Sequence, residues 1–403
     1  MAIDGTCDDK YTEVRDEFER NFAERGEIGA SVCVTVDGET VVDLWGGTAN
    51  PETGQEWRQD TIGHVWSCTK GATALCAHIL ASRGELDLNA PVTKYWPEFG
   101  AKGKDGVLVR HLMTHSAGLP ALRDPLPPGA FYDWTLMTER LADEEPFWAP
   151  GTMQGYHALT FGFLVGEVIR RASGRSLGTF FHEEVAGPLG LDFWIGLPES
   201  HEGRVAPTIP AGPPAPGDPV PSFYQLAFAD PTSIPSLLLG NNGGYMLTPG
   251  ESDSRAAHAA EIGAVGGVTN ARGLAGMYRP LALGGGLVST DQMVVMGSVA
   301  AATQSDAVLL VPTRWSMGFM KAMDNRYLPP ADSEGVLLSE DAFGHAGMGG
   351  SLGFADPLPR MSFGYSMNLQ GTGLGINARG QSLVDAVYRA LGYRQAYGGV
   401  WYV

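Results

Sequence analysis

The sequence predicts an α+β protein whose antiparallel sheet is assembled from both ends of the chain. Three features carry this expectation. Residues 30–47 (ASVCVTVDGETVVDLWGG) alternate apolar and polar side chains about a turn, and residues 335–369 return to strand pattern. Between about 85 and 270 the apolar spacing is helical and is interrupted by Pro- and Gly-rich connections. Residues 1–82 and 270–403 are therefore expected to form one domain around the sheet. Residues 83–269 are expected to form a mostly helical second domain, with a cleft between the two.

The elements follow in order. Residues 10–25 place Tyr11, Val14, Phe18 and Phe22 on one helical face. Asp37-Gly38 tolerates positive φ and so marks a two-residue hairpin turn. After the short apolar piece TIGHVW, the segment SCTKGATALCAHILASRGEL spaces Ala72, Leu75, Cys76, Ile79 and Leu80 as a helix that ends near Gly84. VRHLMTHSAGLP reads as a short helix stopping at Gly118, and LTFGFLVGEVIRRASG as a buried helix stopping at Gly174. PAGPPAPGDPV, residues 210–220, is a surface excursion, because proline fixes φ and removes donors. GVLLSEDAFGHAG, SLGFADP and RMSFGYSMNL read as strands. A last helix, 377–391, has Leu383, Val384, Val387 and Leu391 on one side.

Composition excludes several function classes. The chain has 403 residues, enough for two lobes, and is 44% hydrophobic and 18% charged, as globular proteins are. A net charge of −18 argues against nucleic-acid binding, which needs a cationic surface. No run approaches 18 apolar residues, so no membrane-spanning helix is expected. The opening MAIDGTCDDKYTEV has neither a cationic stretch nor an apolar run, so no secretory leader is expected. Cys7, Cys33, Cys68 and Cys76 are irregularly spaced and form no CxxC pair or zinc cluster, which favours reduced thiols in the cytoplasm. No metal or cofactor is called for, and a homo-oligomer is compatible with the sequence.

Chemistry concentrates at three places. Ser67-Cys68-Thr69-Lys70 opens a predicted helix, where residues i and i+3 share a face and the helix N-terminus disfavours a protonated amine. A neutral Lys70 could then take the Ser67 proton, although a serine at a helix start can also be a simple N-cap. Tyr156, in GTMQGYHALTFG, is either a packing residue or a phenol that moves protons beside the lysine. His345-Ala346-Gly347 lies at a strand edge, where the glycine would admit a substrate to the backbone. The Met348 and Ser67 amides would then be the two oxyanion donors.

S-x-x-K, a tyrosine motif and [KH]-x-G, in that order, resemble the serine β-lactamase and penicillin-binding-protein superfamily. With LVRHLMTHSAGLP, WAPGTMQGYHALTFGFLVGEVIRRASG and AVGGVTNARGLAGMYRPLA, the chain resembles its class C-related esterases, the family VIII carboxylesterases. The resemblance implies a serine β-lactamase-like fold and a serine carboxylesterase acting on short- to medium-chain esters through a Ser67 acyl-enzyme. It also implies Lys70 as activating base, Tyr156 as second acid/base, and His345, Gly347 and Met348 as the facing wall. Trp66 and His157 are expected to touch the small-molecule ester. Two departures matter: Ala158 stands where the β-lactamase branch has the asparagine of Y-x-N, and His345 where it has the lysine of K-T-G. Both remove polar recognition of an amide-and-carboxylate substrate and favour a neutral ester.

Other readings compete. Gly349-Gly350-Ser351-Leu352-Gly353 fits the G-x-S-x-G elbow, but that motif needs a helix after it, and SLGFADP continues as strand or loop. His115 and His64 invite a triad that a lysine base makes unnecessary; His115 is expected to be structural. Cys68 is expected to be a packing residue. Of Phe131, Tyr132, Trp134, Phe147 and Trp148, a minority are expected to line the pocket, and residues 121–150 and 206–260 are expected to set specificity. The same residues could serve a β-lactamase, a D-aminopeptidase-like amide hydrolase or an acyltransferase. A non-catalytic scaffold is the reading of a different class.

Overall fold

A computed structural model describes residues 2–212, 217–373, 375–395 and 399–403. Residues 213–216, the centre of the expected Pro-rich excursion, lie outside the described residues. The strands used below are β1 (Ile3–Cys7), β2 (Gly29–Val36), β3 (Glu39–Asn50), β4 (Ile62–His64), β5 (Gly267–Thr269), β6 (Phe343–Ala346), β7 (Leu352–Asp356) and β8 (Met361–Met367). The helices are α1 (Thr12–Glu24), α2 (Thr69–Ser82), α3 (Val109–Met113), α4 (Thr160–Ser173), α5 (Ser222–Ala229), α6 (Ala271–Ala282) and α7 (Ala378–Ala390).

The main sheet runs β1-β3-β2-β8-β7-β6, and all these neighbours are antiparallel. The two ends of the chain meet where β2 pairs with β8, with Val34 opposite Phe363 and Val32 opposite Tyr365. Asp37 and Gly38 take φ of 52° and 87°, the left-handed pair that a two-residue turn between β2 and β3 requires. β2 is buried on both faces. Val32 and Val34 pack with Phe18 of α1 and Leu383 and Val387 of α7, while Cys33 packs with Ala271 and Ala275 of α6. Alternation along the strand thus feeds two helix layers. Gly364 is needed for the second layer, because a Cβ there would lie 2.1 Å from the Ala271 carbonyl oxygen.

The sequence misses a smaller sheet. β4 and β5 pair antiparallel, with Phe193–Ile195 and Val205–Ala206 on either side, and this sheet delivers the chain to Ser67. α2 packs with α4 in the helical core, where Leu75, Ile79 and Leu80 join Phe161, Leu164 and Val168. α3 ends at Met113 rather than near Gly118, because His115 takes φ of 59° and turns the chain back. α4 stops as expected, with Gly174 at φ of 73°. Only Phe343–Ala346 of the expected strand GVLLSEDAFGHAG is extended in the sheet. SLGFADP does form β7, so a strand and not a helix follows Ser351. Among the described residues no helix is long and apolar enough to cross a membrane.

Candidate active site

The site begins with a strained turn. β4 leads into Trp66, which takes φ of 46° at a cost of about 1–2 kcal/mol for a non-glycine residue. Thr69 holds that turn: its hydroxyl donates to the Trp66 carbonyl and accepts the Gly267 N–H at 2.8 Å. The Trp66 indole stacks on His64 with ring centroids 4.3 Å apart. α2 then starts at Thr69, so Ser67 sits in the turn just before the helix and Lys70 in its first turn. The three-residue spacing aims both side chains the same way, as the sequence predicts.

Lys70 is fully buried, and its Nζ lies 2.9 Å from Ser67 Oγ, 2.7 Å from the Ala158 carbonyl and 2.9 Å from the Ala264 carbonyl. Burial holds its pKa well below the ordinary lysine value. A neutral amine has two N–H bonds and one lone pair. With two carbonyls taking N–H bonds, a deprotonated Lys70 would turn its lone pair toward the Ser67 hydroxyl. That is the arrangement a general base needs before any substrate arrives.

Tyr156 stands over this pair, with Lys70 Nζ 4.8 Å from its ring centroid. Burial raises its phenol above the usual range, while a hydrogen bond with Ser67 acts in the other direction. Its ring stacks on Trp315 at 5.2 Å, and its N–H donates to Asp306 Oδ1 at 2.9 Å. Asp306 is buried and also accepts from the Val308 and Leu309 N–H groups. It is the anchor of the tyrosine segment, and nothing in the local sequence marks it.

Two expected contacts are corrected here. His157 does not reach substrate: its Nδ1 donates to the Gly155 carbonyl at 2.7 Å and its Nε2 accepts the Leu119 N–H at 3.0 Å. Both ring nitrogens are engaged inside the protein, and the ring is fully buried. His345 lies behind Tyr156 (centroids 6.1 Å) and beside Trp315 (5.8 Å), 1% exposed. Burial above all lowers its pKa to about 3, so it is neutral. Ala346 and Met348 line the pocket in its place. His115 is structural: its Nδ1 accepts the His157 N–H at 3.2 Å.

β6 ends at Ala346, and Gly347 and Met348 come alongside Ser67. A Cβ on Gly347 would lie 2.3 Å from the Val65 carbonyl oxygen and 2.1 Å from Ser351 Oγ. The glycine is therefore required by close backbone packing within the protein rather than by substrate. Among the described residues neither the Ser67 nor the Met348 N–H has an acceptor, leaving both donors for a ligand oxygen. Ser351 is 1% exposed and donates to the Val65 carbonyl at 3.0 Å. It pins the Met348 turn to the strand before Ser67. Cys68 Sγ, on the side of the turn away from Lys70, donates to the His345 carbonyl at 3.2 Å, and burial raises its pKa to about 12. Ser351→Ala is expected to keep most turnover and to lose about 1 kcal/mol of stability, read as a small fall in urea midpoint.

Two connected cavities open at this point. A small pocket of about 60 Å³ touches Ser67 and Tyr156 and is walled by Leu159, Phe223, Leu238, Leu239 and Leu309. A larger chamber of about 790 Å³ shares Trp66, Tyr224, Met246 and Met348 with it, and is bordered by Thr208, Pro210, Thr248, Asp253 and Gln370 among others. Phe131, Tyr132, Trp134, Phe147 and Trp148 line neither cavity; Phe223 and Tyr224 of α5 supply the aromatic walls instead. Described residues between 208 and 253 thus shape the cleft, and none from 121–150 lines it. Among the described residues lining these cavities there is no Lys or Arg. No cluster of three or more His, Cys, Asp or Glu side chains among the described residues could hold a metal ion.

The chain is similar to known proteins. The Beta-lactamase family model matches residues 15–386. The chain is 35% identical over 374 residues to the esterase/beta-lactamase LipL of Mycobacterium tuberculosis, covering 89% of this chain and 81% of that protein. A family VIII carboxylesterase crystal structure superposes with TM-score 0.84 at 38% identity, over 97% of this chain and all of that one. EstA from Arthrobacter nitroguajacolicus superposes with TM-score 0.82 at 30% identity, over 97% of this chain and 99% of that one.

Proposed function

Because the chain belongs to the Beta-lactamase family, whose members it resembles here are serine hydrolases, we propose that it is a carboxylesterase working through a Ser67 acyl-enzyme. The observation that carries this reading is the Ser67–Lys70 contact, in which two carbonyls would leave the lone pair of a deprotonated amine facing the hydroxyl. Ser67 Oγ attacks the ester carbonyl carbon as its proton passes to Lys70 Nζ. The carbonyl π pair moves onto oxygen, held by the Ser67 and Met348 N–H groups. Collapse breaks the C–O bond to the alcohol, and the proton held by the Lys70–Tyr156 pair goes to the departing oxygen. Water repeats the sequence in reverse, regenerating Ser67 and releasing the acid.

The cavities suggest the substrate. The small apolar pocket at Ser67 suits a short acyl chain, which remains attached while the alcohol leaves through the larger chamber. Among the described residues on the walls, a β-lactam or a peptide ending in a carboxylate would find no Lys or Arg, and Ala158 offers no side-chain donor. Turnover of p-nitrophenyl butyrate is expected to exceed that of a chromogenic cephalosporin by about 10³-fold in kcat/KM, since a desolvated, unpaired carboxylate is strongly disfavoured. Steady-state comparison of the two checks this, and the reverse ranking would make the protein a β-lactamase. All four cysteines are unpaired, which fits a reducing compartment such as the cytoplasm.

A further inference from the structure

Among the described residues, only Phe223 and Leu309 border both the small pocket at Ser67 and a further cavity of about 80 Å³. Ser67, Tyr156 and Met348 border the pocket and not this rear cavity, so Phe223 and Leu309 stand between the reacting atoms and the space beyond. Both belong to one apolar cluster with Leu238, Leu239 and Trp315. The rear cavity offers little to a polar ligand. Val311, Pro312, Met323 and Val336 line it, and its charged side chains are engaged elsewhere. Arg314 pairs with Glu340, and Lys321 Nζ donates to the Glu340 and Ala342 carbonyls. Asp332 accepts from the Ser222 hydroxyl, and Glu334 from the Gly375 N–H. An apolar chain is what the remaining surface suits.

Leu309 is firmly held. Its N–H and those of Tyr156 and Val308 all donate to Asp306 Oδ1, each at 2.9 Å. The Asp306 N–H donates to the Val311 carbonyl at 3.0 Å, and the Leu310 N–H to the Asp306 carbonyl at 2.9 Å. Leu310 itself takes φ of 63°, a left-handed conformation that a leucine keeps only where its surroundings impose it. One buried carboxylate thus fixes both the tyrosine beside Ser67 and the residue at the end of the pocket.

We propose that Leu309, backed by Phe223, is the acyl-length stop of this enzyme. It limits the acyl half of the ester to short chains such as butanoyl and shuts off an apolar cavity that a longer chain would fill. The proposal rests on the esterase reading and deepens it. The test uses p-nitrophenyl butyrate and p-nitrophenyl octanoate, which share a leaving group and differ only in the acyl chain. Wild type is expected to favour the butyrate by about 10-fold or more in kcat/KM, because an overfilled pocket must distort to take the longer chain. Leu309→Ala is expected to raise the octanoate-to-butyrate ratio by about 10-fold or more, the effect of burying two further methylenes. Val336 borders the rear cavity and neither of the other two, so adding Val336→Phe to Leu309→Ala is expected to return the ratio towards wild type. An unchanged ratio in folded Leu309→Ala overturns the proposal. So does a loss shared equally by both esters, which would give Leu309 a purely structural role. A ratio that stays high in the double variant also overturns it, since the chain would then lie outside the rear cavity, and so does equal turnover of the two esters by wild type. If thermal unfolding shows that Leu309→Ala does not fold, Phe223→Leu takes its place and is judged by the same ratio. Failure of wild type to hydrolyse either ester, with no fluorophosphonate label on Ser67, would instead remove the esterase reading on which the proposal stands.

Discussion

Ser67→Ala is expected to lose about 10⁴-fold or more in kcat on p-nitrophenyl butyrate, with the fold unchanged. On the proposed mechanism the hydroxyl is the nucleophile, and its two neighbours are engaged elsewhere: Ser351 is turned to the Val65 carbonyl, and Cys68 is a protonated thiol that donates to the His345 carbonyl. Removing Oγ leaves Lys70 with its two carbonyl partners, so the buried amine is not stranded. Kinetics, thermal unfolding and intact mass after fluorophosphonate treatment give the three readouts. A Ser67→Ala protein that still takes the label and turns over ester, beside an inactive Ser351→Ala, would reverse the assignment.

Lys70→Met is expected to lower kcat/KM by about 10²–10⁴-fold and at the same time to hold or raise stability near neutral pH. The two effects have one cause. Burial disfavours the charged amine, so the folded protein gives up this proton at a lower pH than the unfolded chain, which keeps it up to the ordinary lysine value of 10.5. Between the lowered folded value and 10.5 unfolding takes up a proton, so this group's contribution to stability falls as pH falls. Methionine removes that slope along with the base. In wild type the same ionisation makes kcat/KM decline on the acid side, as Lys70 gains a proton and its lone pair is lost. Urea midpoints and kcat/KM between pH 5 and about pH 10 in both proteins check the pair. An unchanged acid limb in Lys70→Met would assign it to another group.

The sequence was most informative where the structure is local. The Asp37-Gly38 turn follows from two residues that tolerate positive φ, and the Ser67–Lys70 contact from helical spacing alone. Order along the chain was enough to bring Tyr156 and Met348 into the account. What was not legible depends on backbone atoms and long-range partners. Ala158 looks inert as a side chain, yet its carbonyl accepts from Lys70, and so does that of Ala264, 194 residues away from the lysine. Asp306 anchors Tyr156 from 150 residues downstream. His157 and His345 sit within the right motifs but point into the protein, and a motif records adjacency, not direction. Phe223 and Tyr224 carry no sequence signal that separates them from other aromatics, yet both line the pocket at Ser67.

Strand order also dictates when the molecule can work. β2 waits for β8, and the Gly29 amide is satisfied by the Asn368 side chain, 339 residues further along. Closing so long a loop is slow and gains nothing until the contacts at its end form. A chain leaving the ribosome as far as residue 320 already carries Ser67, Lys70, Tyr156 and Asp306, but not the Met348 N–H or the strand that holds it. Such a nascent chain exposes the unpaired edge of β2 and lacks half of its anion cradle. The strands synthesised last are therefore the ones that complete both the main sheet and the Met348 side of the pocket at Ser67.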